Sequence, residues 1–261
     1  MAEGEILRFD EKAARHTEAL YLTPDIVAQR RRVLEALRLR AGERVADLGC
    51  GPGLLVLDMH AQVGDDGGIE GIDVSPDMIA LAQRRSAGRA NIGLRVGDVA
   101  ALPYEDAAFD AAACTQVYEY VTDVERALRE LHRVVRPGGR VAVMDTDWES
   151  CVWHSSDAQR MRRVIEAWNT HCPHPHLPRV LGRLLREAGF GAVRCEVVPL
   201  VNLALDPQTY SYGVIPLLAR YAAKPLGEDA ARAWADDLRA LGARGEYFFS
   251  VNRFLFCAQR T

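Results

Sequence analysis

The sequence predicts an α/β fold: a mostly parallel sheet with helices packed on both faces. Three observations support this reading. Short apolar runs ending in acidic or glycine-rich turns alternate with segments of helical period. One of them, Val45-Ala46-Asp47-Leu48-Gly49-Cys50-Gly51-Pro52-Gly53, reads as strand, tight turn and helix start, with Pro52 where the first helical turn begins. Three strands with three crossings follow in succession, and such connections make a sheet parallel.

The 261 residues are enough for one sizeable core plus a modest cap, and a single domain is expected. A formal net charge of −4 gives no global attraction to nucleic acid. The one basic run, Arg30-Arg31-Arg32, lies opposite an apolar stripe of Ile26, Val33, Leu34 and Leu37, as on the solvated face of a helix. Six cysteines without a spacing repeat do not form a disulfide framework and fit a reducing compartment. No apolar run reaches the length of a membrane span or a signal segment, so a cytoplasmic protein without membrane contact is expected.

Taken in order, residues from about Asp10 to Leu39 read as helical, and Thr23-Pro24-Asp25 opens a second helix there. Strand one spans Arg44 to Leu48. Strand two, around Ile69 to Asp73, is followed by Ser75-Pro76-Asp77 capping a helix. A third strand near Ile92 to Val96 runs into Gly97-Asp98-Val99, and a fourth spans Phe109 to Thr115. Val121, Val124, Leu128, Leu131 and Val135 recur at helical spacing, until Arg136-Pro137-Gly138-Gly139 turns the chain into strand five, Arg140 to Met144.

The glycine turn reads as a cofactor cradle, because glycine admits positive φ and leaves no Cβ in a ligand's way. Its third glycine comes one residue too early for the dinucleotide fingerprint, and Asp47 stands two residues before the first glycine. An acidic residue followed by G-x-G-x-G resembles the first motif of the class I S-adenosylmethionine-dependent methyltransferases. Asp73, about 20 residues beyond the glycines, has the spacing at which a βαβ unit brings a carboxylate to ribose hydroxyls. The helix, Pro-Gly-Gly break and fifth strand resemble the last motif of the same family, so the resemblance covers roughly residues 20 to 145.

The resemblance implies S-adenosylmethionine as cofactor, with S-adenosylhomocysteine as product. It implies Asp47, Gly49, Cys50, Gly51, Gly53, Asp73, Val74, Met78, Asp98, Val99, Gln116 and Tyr21 as its binding residues, with Met78 against the adenine ring and Asp98 at the adenine amino group. It also implies a Rossmann-like, seven-stranded sheet with an antiparallel last strand, and a helical N-terminal lid that brings Tyr21 over the site. The expected organisation is a lid at 1–42, a core at 43–205 with an irregular insertion at 148–176, a cap at 206–245 and a last strand at 246–261. In the second half, a helix is read at Leu177 to Ala188, with strands from Ala192 to about Leu203 and from Tyr247 to Ala258. The cap is partly helical by the spacing of Ala231, Trp234, Leu238 and Leu241, and Tyr210 and Tyr212 could bound an apolar substrate.

The expected partner is a small-molecule methyl acceptor, the oligomeric state being open. Similar enzymes that methylate amines of DNA or protein often carry D/N-P-P-Y after strand four, where this chain reads Gln116-Val117-Tyr118-Glu119. Enzymes of the ubiquinone/menaquinone-biosynthesis type often carry Leu-His-His where this chain has Tyr118-Glu119-Tyr120. The base candidates are therefore Asp145 and Asp147 after strand five, then Tyr120 and Glu119 after strand four. His171-Cys172-Pro173-His174-Pro175-His176 offers imidazole and thiolate ligands, but no second pair stands at zinc-finger spacing, and no metal is expected. A non-catalytic cofactor-binding protein and an arsenite-type methyltransferase, which needs converging cysteines, are the alternatives.

Overall fold

Residues 17–261 of the computed structural model are described; the acidic N-terminus and the first residues of the expected lid lie outside them. Seven strands form one sheet: β1 (Arg44–Leu48), β2 (Gly68–Asp73), β3 (Ile92–Val96), β4 (Phe109–Thr115), β5 (Val135–Trp153), β6 (Phe190–Asn202) and β7 (Phe249–Arg260). Their order is β3-β2-β1-β4-β5-β7-β6. The first five run parallel, and β7 is antiparallel to both of its neighbours, β5 and β6.

The helices are α1 (Pro24–Leu37), α2 (Leu54–Val63), α3 (Pro76–Arg85), α4 (Val124–Val134), α5 (Ala158–Trp168), α6 (Pro178–Glu187), α7 (Tyr210–Leu226) and α8 (Glu228–Ala243). Side chains alternate across a strand, so each central strand feeds two cores. Val45, Ala111, Ala142 and Met144 meet Val33 and Leu37 of α1 and Val56 and Met59 of α2. On the opposite face Ala46, Leu48, Ala112 and Val143 meet Leu128 and Leu131 of α4 and Leu181 and Leu185 of α6. The ends of the helices follow local chemistry: the Ser75 hydroxyl accepts the Met78 N–H at 3.3 Å, and Asp123 accepts that of Arg126 at 2.9 Å.

Beyond the carboxyl ends of the strands lies a third core, built by α5, α7 and α8 with Trp148, Trp153, Trp168, Trp234, Tyr247 and Phe249. Two details differ from the sequence reading. Strand β5 runs on to Trp153 because β7 continues to pair with it beyond a register shift between Asp147 and Val152, ending at Trp153 opposite Phe249. The stretch 148–176 is therefore not irregular throughout: it holds the end of β5 and all of α5, with Asp157 accepting the Arg160 N–H as its cap. The Pro-Gly-Gly break falls within the first residues of β5. No helix among the described residues is long and apolar enough to cross a membrane.

The cap's core centres on Trp234, which is fully buried, donates its indole N–H to the Met161 sulfur at 3.0 Å and stands edge-on to Trp153. Trp234→Ala should destabilise the protein by about 3–5 kcal/mol in urea denaturation.

Candidate functional site

The turn after β1 is pinned from β2. The N–H groups of Gly49 and Cys50 both donate to the Ile72 carbonyl, at 2.7 and 2.9 Å, and that of Gly51 donates to Asp73 Oδ2 at 2.9 Å. The other oxygen of Asp73 accepts the Ser75 N–H at 2.9 Å, so one carboxylate ties the glycine turn to the start of α3. Gly49 (φ +73°) has no room for a side chain, because an added Cβ would lie 2.1 Å from Val117 Cγ2. Gly51 (φ +51°) is the reverse: an added Cβ would meet nothing within 4 Å, so its missing side chain leaves open space above the turn.

Two carboxylates stand on this cradle. Asp47 is 1% exposed, and its Oδ2 has no hydrogen-bond partner. Burial first, and the neighbouring Asp73 charge second, push its carboxyl up to about 7. Burial also raises Asp73, opposed by the Ser75 and Gly51 amides. A buried carboxylate with an unused oxygen suits a cationic group, and the S-adenosylmethionine ammonium is one; the residues present fit that cofactor. Val74, next to Asp73, is 64% exposed, an apolar side chain set out at the rim as a flat ring would require. Cys50, Met78 and Val99 are buried. Asp98 accepts the Ala100 N–H at 2.8 Å and so closes its own turn.

The chain leaving β4 roofs the cradle. Gln116 takes a left-handed conformation (φ +57°), rare for a side chain of its size. It is held there by its N–H to the Met144 carbonyl at 2.7 Å and by the Thr146 hydroxyl donating to its Oε1 at 2.6 Å. The one-turn segment Tyr118–Tyr120 follows, with Glu119 fully buried. Glu119 Oε2 accepts the Trp148 indole N–H at 3.0 Å, while Oε1 has no partner. Burial pushes its carboxyl up to about 7, against the pull of the Arg253 charge. Tyr21 lies within electrostatic reach of Asp73, Glu119, Tyr210 and Arg253, joining the cradle to the residues beneath the cap; burial raises its phenol to about 12.

The base candidates divide by position. Asp145 Oδ1 accepts the Val117 N–H at 3.1 Å, its Oδ2 is unpartnered, and burial, with the Glu119 charge second, raises its carboxyl well above the usual carboxylate range. Asp147 is clasped by Arg179, whose Nε and Nη2 donate at 2.8 and 3.1 Å, and by His176 at 3.1 Å. These partners precede or open α6, so Asp147 anchors that helix to β5. Tyr120 contacts His171 Nε2 through its hydroxyl at 3.2 Å; the other imidazole nitrogen meets the Trp168 carbonyl at 2.6 Å. His171 is stacked on Trp168 and burial lowers it to about 4, so it is neutral, with Nδ1–H donating and Nε2 accepting. His171 and His176 thus turn to separate partners, and among the described residues no three His, Cys, Asp or Glu side chains group as metal ligands. Cys151 and Cys172 belong to the cap, Cys50 and Cys257 to one face of the sheet and Cys114 to the other.

Arg253 and Gln29 were not singled out from the sequence. The signal was there in β7, where Val251, Arg253 and Leu255 share one phase and all are buried: a charge in an apolar row.

Residues 46–143, which hold the cradle and the first five strands, match the family described as "Methyltransferase domain". This stretch is a methyltransferase domain, as the resemblance to the class I S-adenosylmethionine-dependent methyltransferases implies. The methyltransferase core has relatives in demethylmenaquinone methyltransferases, 33% identical over 120 residues in Lactobacillus johnsonii and 34% over 117 in Staphylococcus aureus. Those alignments cover 45% of this chain, and 49% and 48% of the two relatives. An uncharacterized 37.1 kDa protein in transposon TN4556 of Streptomyces fradiae is 32% identical over 248 residues, 88% of this chain and 66% of that one. The chain therefore spans about half to two thirds of the length of these relatives. Among solved structures, phosphoethanolamine N-methyltransferase 2 of Haemonchus contortus has a TM-score of 0.65 at 15% identity, covering 97% of this chain and 58% of that chain. The [4+2]-cyclase SpnF has a TM-score of 0.56 at 24% identity, covering 99% and 84%. These likenesses show the fold.

Asp47 generates a stability prediction. Its folded carboxyl titrates near 7 and an unfolded one near about 4, so the folded protein binds the extra proton between those values and loses stability as pH rises through that window. Asp47→Asn removes this cost. The variant should be more stable than wild type at pH 8 by roughly 1–4 kcal/mol, and the gain should vanish below pH 4 in denaturant titrations.

Proposed function

We propose that this chain is an enzyme that transfers the methyl group of S-adenosylmethionine to a small-molecule acceptor held in the chamber beneath the cap. The observation that carries the reading is the cradle itself: an open glycine turn flanked by Asp47, with its unused buried oxygen, and Asp73 at the ends of adjacent strands. The names of the curated relatives, demethylmenaquinone methyltransferases, support a small-molecule acceptor.

Bound in this cradle, the cofactor supplies an electrophilic methyl on a sulfonium. The chain's own residues do the rest. Asp73 holds the ribose hydroxyls with its remaining lone pairs while still accepting from Gly51 and Ser75. Asp47 takes the ammonium, Val74 offers an apolar surface to the adenine, and Gln116 and Tyr21 bound the passage to the chamber. A buried site excludes water and fixes alignment, which lowers the barrier without any covalent step on the protein.

Of the four base candidates we assign the role to Glu119. Asp145 already caps the Val117 amide and is raised well above the usual carboxylate range by burial, Asp147 is bound to Arg179, and the Tyr120 phenol is pushed well above its ordinary range by burial. Glu119 has a free oxygen and titrates near 7, so it can accept a proton from an acceptor hydroxyl, amine or acidic carbon at neutral pH.

The direct test is to incubate the protein with S-adenosylmethionine and a small-metabolite extract, follow release of S-adenosylhomocysteine, and identify the product by its gain of one methyl. No release above background would contradict the reading. Asp73→Ala should weaken S-adenosylmethionine binding about ten- to a hundredfold by calorimetry. Glu119→Gln should lower turnover roughly 10²–10⁴-fold with cofactor affinity preserved. With a neutral acceptor, wild-type turnover should rise with pH through about 7 as the Glu119 carboxyl ionises, and the variant should lack that step.

A further inference from the structure

Arg253 is 2% exposed, on the face of β7 that meets α1. A guanidinium stays charged at any pH a protein survives, so burying it costs several kcal/mol unless partners replace its water. Its partners here are neutral. Nη1 donates to the Gln29 side-chain oxygen, the guanidinium carbon lies 4.9 Å from the centre of the Tyr210 ring, and Nε has no hydrogen-bond partner. Among the described residues no carboxylate lies within 4.0 Å of it; ion pairs such as Arg179–Asp147 and Arg140–Glu43 occupy other parts of the fold. Glu119 feels its charge from a distance but gives one oxygen to Trp148 instead.

These neutral partners leave Nε buried without a hydrogen-bond partner, and the edge formed by Nε and Nη2 is a planar fork matched to two oxygens of a carboxylate or phosphate. The fork and Glu119 lie in one neighbourhood, since the charges of both reach Tyr21 and Tyr210. The rings packed there, Tyr210 and Phe249 among them, suit an apolar body, so an acceptor held beneath the cap would meet one charged anchor with rings around it.

We propose that Arg253 is the anchor of an oxyanion subsite, and that the methyl acceptor is a small acid whose carboxylate or phosphate docks on this guanidinium. The proposal rests on the chamber being the acceptor site. Gln29 is a positioning residue in it: by holding Nη1 from α1, it fixes the plane of the guanidinium. One oxyanion on the acceptor then neutralises the buried charge and fixes which part of the molecule faces the cradle.

The test is calorimetric titration of the full chain, with and without saturating S-adenosylhomocysteine, using benzoate and phenyl phosphate against the neutral analogues benzamide and benzyl alcohol. Expected is binding of at least one oxyanion at least tenfold tighter than its neutral analogue, the benzoate and phenyl phosphate arms telling which oxyanion the subsite takes. Arg253→Gln should lose that preference with S-adenosylhomocysteine affinity unchanged, and Arg253→Lys should keep only part of it, since it keeps the charge without the fork. Oxyanions that bind wild type no better than the neutral analogues would overturn the proposal, and this arm needs no variant to fold. Oxyanion binding undiminished in Arg253→Gln would overturn it as well. If S-adenosylhomocysteine itself fails to bind wild type, it is the reading of the cradle that fails, which separates the two.

Discussion

The site depends on two carboxylates set at the ends of neighbouring parallel strands, Asp47 on β1 and Asp73 on β2, with the Asp73 charge adding to what burial already costs Asp47 on ionising. Parallel strands bring their carboxyl ends to one edge of the sheet, and the β1–β2 crossover folds the glycine turn over that edge. Asp73 makes the turn rigid by accepting from Gly51 and Ser75, while Asp47 is left with a buried oxygen that nothing among the described residues satisfies. A protein keeps such a group where a ligand repays it. The strain is local: Gly49 cannot carry a Cβ because Val117 packs against it, and Gln116 is forced into a left-handed conformation to bring that Val over the turn.

The same logic extends to the residues beneath the cap. The turn at Tyr118–Tyr120 is stitched from several sides: Asp145 accepts the Val117 N–H, the Glu119 carbonyl accepts the His174 N–H, and the Pro175 carbonyl accepts the Trp148 N–H. The segment 171–176, with its histidines and prolines, is thus a strap over that turn. Trp148, Trp168 and His171 then wall Glu119 away from water, which is what lifts its carboxyl toward neutrality. Buried polar groups and aromatic rings together give a site that can hold charge in a dry space.

Much of this was legible in the sequence, and the reasons are physical. Glycine spacing, an acidic residue at the end of β2 and the helix-stop of α4 are local signals, so the first five strands and the cradle residues could be read one after another. The second half resisted because its order comes from partners distant in the chain. β5 stays extended to Trp153 only because β7 pairs with it, and α5 rests on α7 of the cap. Asp145 and Asp147 share a strand phase and read alike, yet one caps a backbone amide and the other meets Arg179, 32 residues away. Arg253 was visible as a charge in the row Val251, Arg253, Leu255, but its partner Gln29 lies 224 residues earlier. No local pattern carries such a pair.

The central claim is that the cradle receives a cation against Asp47, and proton exchange on binding tests it most directly. Calorimetry of S-adenosylmethionine binding near pH 6.5, in two buffers of different ionisation enthalpy, measures the protons released. With Asp47 titrating near 7, docking of an ammonium should expel a proton from a large fraction of molecules, and Asp47→Asn should release none from this position. A binding heat that is the same in both buffers for wild type, or no binding heat at all, would contradict it.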